Sequence, residues 1–238
     1  MTPPLDIAVF VSPPFQENTY VVRLGGREDC LIFDPGFTPH EVIDHVTSEG
    51  LTPAAILLTH GHSDHIGGND ALKAEWPDCP IFIGRRDASK LTDPWGNLSG
   101  QFGLPMISPP ADRLVDDNEW LDLAGLRLEV RDTPGHSAGH VVYVWHEGKP
   151  KIVFGGDVLF AGGIGRTDFP DGDFRDLVRS IHTRLFTLDD DTIVLPGHGP
   201  TTTIGTERNE NAFVGLPSEN PPPGERPHGE RRPGERGV

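Results

Sequence analysis

Four side chains able to bind a metal ion through nitrogen or oxygen, His60, His62, Asp64 and His65, fall within six consecutive positions. They follow the apolar run Ala54-Ala-Ile-Leu-Leu58, so a strand ends just before them. His60, His62 and Asp64 then alternate along an extended loop and project to one side. Imidazoles and a carboxylate crowded at one buried spot need a compensating cation, which makes metal binding the chemistry this spacing favours. Gly67 and Gly68 lie just beyond and let backbone pack close to the site. Three further groups recur downstream, each after a strand-like run and a glycine: His136 in Thr133-Pro-Gly-His136, Asp157 in Phe154-Gly-Gly-Asp157 and His198 in Leu195-Pro-Gly-His198. Loops in such positions deliver side chains to a cleft at a sheet edge. Five histidines and two aspartates exceed one tetrahedral site and suit two metals sharing one carboxylate. Two such cations lower the pKa of a water between them and supply hydroxide near neutral pH, so no protein nucleophile is required.

The pattern His60-x-His62-x-Asp64-His65, followed by His136, Asp157 and His198, resembles the metallo-β-lactamase-fold hydrolases over roughly residues 5–214. Asn18-Thr-Tyr20, Asp34-Pro-Gly36, Gly156-Asp157-Val-Leu-Phe160, Gly165-Arg166-Thr-Asp168 and Pro196-Gly-His-Gly-Pro200 are most similar to the glyoxalase II branch. The chain resembles the short bacterial members of that branch, which lack the C-terminal helical domain of full-length glyoxalase II. The resemblance implies an α/β fold, a four-layer αββα sandwich with the metals at one edge of its two sheets. It implies that His60, His62 and His136 hold one metal and Asp64, His65 and His198 the other, with Asp157 bridging. The cofactor would be two divalent ions, zinc with iron or manganese as alternatives. The implied reaction is hydrolysis of a thioester of a small thiol, such as S-lactoylglutathione, by attack of the metal-bridging hydroxide on the carbonyl. Asp64 would be the catalytic residue that orients the hydroxide. Arg166 could clamp a substrate carboxylate, or simply pair with Asp168 or Asp171.

The related persulfide dioxygenases keep similar residues around one iron, held in the manner of His60, His136 and Asp157, and form the alternative reading. Lactonases and β-lactamases of the superfamily share the first motif and form a further one. A non-enzymatic interaction protein would show eroded ligands, and all seven are present. Around the ligands, Asp34 reads equally as a turn former and as a partner of a ligand. His140 reads as a structural histidine more than as an orienting one, and Tyr20 as packing.

Positioning these groups falls to short strand-like runs that alternate with helix-like segments. Strands are predicted at 7–11, 18–24, 30–34, 54–58, 81–83, 126–132, 141–145, 152–154 and 192–195. A helix is predicted from Pro39 to about Glu49, with Thr38 and Glu41 as a capping box, and another from Asp173 as cap to about Leu185. The Pro- and Gly-rich stretch 92–113 has no period and reads as a long loop able to cover a site.

The chain has 238 residues, 20 Lys plus Arg against 36 Asp plus Glu, and a formal net charge of -16. That field repels phosphate backbones and disfavours nucleic acid as a partner. No apolar run approaches the ~18 residues that would span a bilayer, and the N-terminus offers no basic leader region, so a cytoplasmic enzyme acting on a small-molecule thioester is expected. Its oligomeric state is left open. Cys30 and Cys79 read as buried free thiols. Residues 1–216 form the predicted hydrolase domain. Residues 217–238, where PPGER, PHGER and RPGER follow one another, are expected to be a disordered tail.

Overall fold

The computed structural model describes residues 4–216, so the tail expectation lies outside the described residues. Strands β1 (Leu5–Ser12), β2 (Glu17–Leu24) and β3 (Asp29–Phe33) lead into α1 (Pro39–Ser48), β4 (Thr52–Leu57), α2 (Ser63–Ile66), α3 (Asn69–Glu75) and β5 (Ile81–Gly84). After a 3₁₀ turn at Ala88–Thr92 come β6 (Arg113–Val115), β7 (Trp120–Leu123), β8 (Leu126–Asp132), β9 (Val141–Trp145), β10 (Ile152–Gly156), β11 (Leu159–Phe160) and β12 (Gly163–Ile164). The described chain closes with α4 (Phe174–Ser180), β13 (Ile193–Pro196), β14 (Thr202–Thr203) and α5 (Ile204–Glu210).

Two six-stranded sheets result, ordered β1-β2-β3-β4-β5-β6 and β14-β13-β10-β9-β8-β7. Alternation along the strands builds three apolar layers. In β3, Leu31 and Phe33 face the second sheet while Cys30 and Ile32 pack under α1. In β9, Val141, Tyr143 and Trp145 face the first sheet while Val142 and Val144 pack against α4 and α5. Strands covered on both faces read as continuous apolar runs. Phe33 and Phe154 stack across the inter-sheet layer with ring centroids 3.8 Å apart. This is the αββα sandwich that the family resemblance implied.

The predicted strands are all present, with bounds shifted by a few residues. Asp173 caps α4 as expected, accepting from the Asp176 amide at 2.9 Å, although the helix passes into a π-type turn at Ile181–Leu185. The capping box at α1 does not form. Thr38 caps nothing with its side chain, because its hydroxyl meets Ser12 Oγ at 2.9 Å and ties α1 to the end of β1. Helix α3 and the short strands β6 and β7 were not legible, since each buries only one or two apolar side chains. Cys30 and Cys79 are buried and unbridged. No helix among the described residues is long and apolar enough to cross a membrane.

Candidate metal centre

Strands β3 and β4 run parallel, as do β10 and β13, so their carboxyl ends open on one edge of the sandwich. Asp34 follows β3, the His60–His65 segment follows β4, Asp157 follows β10 and His198 follows β13, while His136 arrives on the turn after β8. All seven sequence-predicted ligands converge there as three overlapping groups: His60, His62 and His136; His60, His65 and Asp157; and Asp64, His65 and His198. Asp157 sits between them. Its carboxylate lies 3.4 Å from His65 Nε2 and 3.5 Å from both His136 Nε2 and His198 Nε2, and Asp64 Oδ2 is 3.4 Å from His198 Nε2.

The hydrogen bonds around the rings decide whether this set fits a cation. Thr59 Oγ1 donates to Asp34 Oδ2 at 2.6 Å and so accepts from His60 Nδ1 at 3.1 Å. His65 Nδ1 donates to Asp34 Oδ2 at 3.2 Å, His136 Nδ1 to the Arg166 carbonyl at 2.8 Å, and His198 Nδ1 to the Phe15 carbonyl at 3.0 Å. Each of these four imidazoles therefore keeps its Nε2 for the interior, the outer partner fixing the tautomer. His60 Nε2 and His136 Nε2 then lie 3.0 and 2.9 Å from His62 Nδ1, and one His62 proton can serve at most one of the two contacts. Extra protons are disfavoured, because burial holds His60, His62 and His136 below the usual imidazole range. Three nitrogen lone pairs facing one point are what a cation takes up. On the other side burial also opposes charge, but Asp157 and Asp64 outweigh it, raising His65 well above its ordinary value and His198 to about 10. A cation there displaces protons the carboxylates would otherwise hold. Buried His65 Nε2 and Asp157 Oδ1 have no hydrogen-bond partner among the described residues. The residues present fit two metal ions.

The flanking motifs act as straps. Asn18 Nδ2 donates to the Pro196 and Gly199 carbonyls at 3.0 and 2.9 Å, and Tyr20 donates its hydroxyl to Pro196 at 2.7 Å, fixing the loop that carries His198. Thr19 Oγ1 donates to the Asp34 carbonyl and accepts from the Gly36 amide, both at 2.9 Å. Asp34 unites both of its expected roles. It turns the chain at φ 47° and braces Thr59 and His65. Gly197 is required by space, since a Cβ there would stand 2.3 Å from Asp157 Oδ1 and 2.6 Å from His65 Cε1. Gly197→Ala is expected to fold, by circular dichroism, yet to release metal to a chelator concentration at least tenfold lower than the parent tolerates.

His140 does more than the structural role the sequence favoured. Its Nδ1 donates to Thr133 Oγ1 at 3.0 Å, leaving Nε2 to accept the Asp157 amide at 3.1 Å, so it holds the shared carboxylate's backbone. Two acidic residues were missed. Asp87, fully buried, accepts from the Gly61 amide at 3.0 Å, the Ser137 hydroxyl at 2.8 Å and the Gly139 amide at 2.8 Å. It follows β5 on the same sheet edge, the signal that could have found it. Glu17 is fully buried behind Asp34 and His198, and burial lifts its carboxyl well above the usual range. A raised carboxyl means the unfolded chain releases its proton first, so stability falls as pH climbs past the ordinary value. In metal-free protein, Glu17→Gln is therefore expected to match the parent near pH 4 and to exceed it increasingly toward pH 7, by at most about 1.4 kcal/mol per pH unit. Denaturation at stepped pH reads this directly.

A cavity of about 240 Å³ opens over the cluster, lined by His62, Asp64, His136, Asp157 and His198 and by a group of aromatic and aliphatic side chains. Leu98 and Phe102 of the long 92–113 loop reach it, so that loop covers the site. Arg166 also lines it, with its fork on Asp168 at 2.9 and 2.8 Å, the pairing that was one of its two expected roles.

A family model described as the metallo-beta-lactamase superfamily matches residues 12–198. The chain belongs to this superfamily. Among curated superfamily members, the Bacillus subtilis protein named probable metallo-hydrolase YqgX is 43% identical over 202 residues, covering 84% of this chain and 93% of that protein. Haemophilus influenzae hydroxyacylglutathione hydrolase GloC is 37% identical over 216 residues, covering 90% and 100%. Of solved structures, the B3 metallo-beta-lactamase BLEG-1 superposes with a TM-score of 0.83 at 39% identity, over 88% of this chain and 99% of that one. TTHA1623, solved in a di-iron-bound form, gives 0.76 at 38% identity over 87% and 99%. The chain is thus a metallo-hydrolase of this superfamily with a His/Asp cluster suited to metal.

Proposed function

We propose that the protein is a dinuclear metal-dependent thioester hydrolase acting on thioesters of a small thiol, with S-lactoylglutathione as the reference substrate. His60, His62 and His136 hold one ion, Asp64, His65 and His198 the other, and Asp157 is shared. The observation that carries this reading is the ring arrangement: four imidazoles have their outer nitrogens tied to fixed acceptors, three of them hold Nε2 within 3.5 Å of one carboxylate, and the fourth, His60, turns its Nε2 to His62. Resemblance to the glyoxalase II motifs and the similarity to GloC support the thioester assignment. Divalent ions bound there, zinc with iron or manganese as alternatives, supply acidification of a water and polarisation of a carbonyl.

The chain's own residues do the rest. Asp64 borders the cavity, and although burial works against its charge, His65 and His198 hold its carboxyl below the ordinary range, so it is ionised at neutral pH. Its oxygen accepts a hydrogen bond from the attacking water and orients it toward the carbonyl. Phe169 stands 5.2 Å from His62 and 5.6 Å from His136 and, with Phe160, excludes bulk water from the reacting carbon. The departing thiolate needs no acid, its ordinary pKa being near 8.5. The two unbridged thiols suit a cytoplasmic setting.

Metal analysis of the purified protein joined to a thioester assay tests the proposal. About two divalent ions per chain and turnover of S-lactoylglutathione or simpler thioesters are expected. One iron per chain, with oxygen uptake on a persulfide and no thioester turnover, would replace the proposal with a persulfide dioxygenase.

A further inference from the structure

The walls around the cluster point to the chemistry of the substrate's two arms. Phe160 lies edge-on to His198 with ring centroids 6.0 Å apart, and Phe15 and Phe102 meet at 5.5 Å across the mouth. On the opposite side Phe169 closes on His62 and His136, with Ile164 beside it. A carbonyl placed at the cluster is therefore flanked in both directions by apolar surface. Arg166 is the only lysine or arginine among the described residues lining the cavity. Asp168 takes Nε and Nη2 of its fork, leaving Nη1 toward solvent, and its guanidinium lies over the Phe169 ring at 4.5 Å. Each methylene buried against this surface is favoured by about fourfold in binding.

We propose that the preferred substrate is a thioester with an apolar acyl group, a phenyl-sized ring or a short alkyl chain. This rests on the thioester hydrolase reading and narrows it. The groups that set the preference are Phe15, Phe102, Phe160 and Phe169.

The test uses the full chain, metal-replete, with N-acetylcysteamine thioesters of acetyl, butanoyl, hexanoyl and phenylacetyl groups beside S-lactoylglutathione. The expected kcat/KM rises by up to about fourfold per methylene and is at least tenfold higher for phenylacetyl than for acetyl. Phe102 is exposed, so Phe102→Ser folds, and it is expected to lower the hexanoyl-to-acetyl ratio at least threefold. A flat acyl series overturns the inference and leaves the thioester reading intact. Turnover of none of these thioesters overturns the thioester reading itself.

Discussion

Asp157→Asn is expected to reduce bound metal from about two ions per chain to one or fewer, and thioester turnover on the order of a thousandfold or more. The carboxylate is the one anionic group within 3.5 Å of Nε2 of His65, His136 and His198 together. An amide of the same shape turns one oxygen into an N–H donor aimed at an imidazole nitrogen, and it removes the charge that two ions would share. Burial would by itself push the Asp157 carboxyl up. His65 and His198 reverse that and hold it well below the usual range, so the group the substitution removes is an anion. The fold should survive, because the His140 contact is made by the Asp157 backbone and not by its side chain. Elemental analysis, turnover and far-UV dichroism of the variant check all three statements. Two ions and parental turnover would show that Asp157 stands outside the metals' coordination, and the dinuclear reading would fail.

The sequence exposed the ligands and concealed much of what steadies them, for a physical reason. Ligands must sit at strand ends, where a loop turns side chains into a cleft, and the apolar runs ending at Leu58, Phe154 and Leu195 mark those ends without any three-dimensional information. The central strands were equally legible, because strands buried on both faces announce themselves as unbroken apolar stretches, whereas their arrangement in two sheets was implied by the family resemblance. Short elements such as α3 and β6 carry too few apolar positions to show a period. The supporting polar groups were hidden differently. His140 and Glu17 gain their roles from partners far away in the chain, and no local spacing distinguishes a histidine that accepts the Asp157 amide from one that faces solvent. Thr38 shows the opposite failure, a complete local signal overridden when Ser12 offered its hydroxyl a better placed partner.

Asp87 is the clearest such hidden residue, and Asp87→Asn carries the second large expected effect. The carboxylate joins two segments that each deliver ligands: Gly61 lies between His60 and His62, and Ser137 and Gly139 follow His136. Lys90 extends the brace, its Nζ 3.3 Å from Asp87 and 2.7 Å from Asp171, whose carboxylate accepts the Ala138 amide at 3.0 Å. An asparagine has one acceptor oxygen for donors on both sides. Whichever way it turns, its NH₂ opposes a backbone N–H, that of Gly139 on one side or of Gly61 on the other, and the backbone is held close, since a Cβ at Gly139 would already stand 2.4 Å from the Asp87 amide nitrogen. Leaving buried donors unmatched beside a retained lysine charge costs about 3 kcal/mol, which lowers the melting temperature by on the order of 10 °C in a domain of this size. The effect on metal should be unequal. Affinity at the His60, His62 and His136 group is expected to fall roughly 10–100-fold, the usual range for a lost outer support. The Asp64, His65 and His198 group, braced by Asp34 and the Asn18 and Tyr20 strap, should keep its affinity. Competition against a chromophoric chelator, resolved into two binding steps, distinguishes this from general loosening, which would weaken both steps alike.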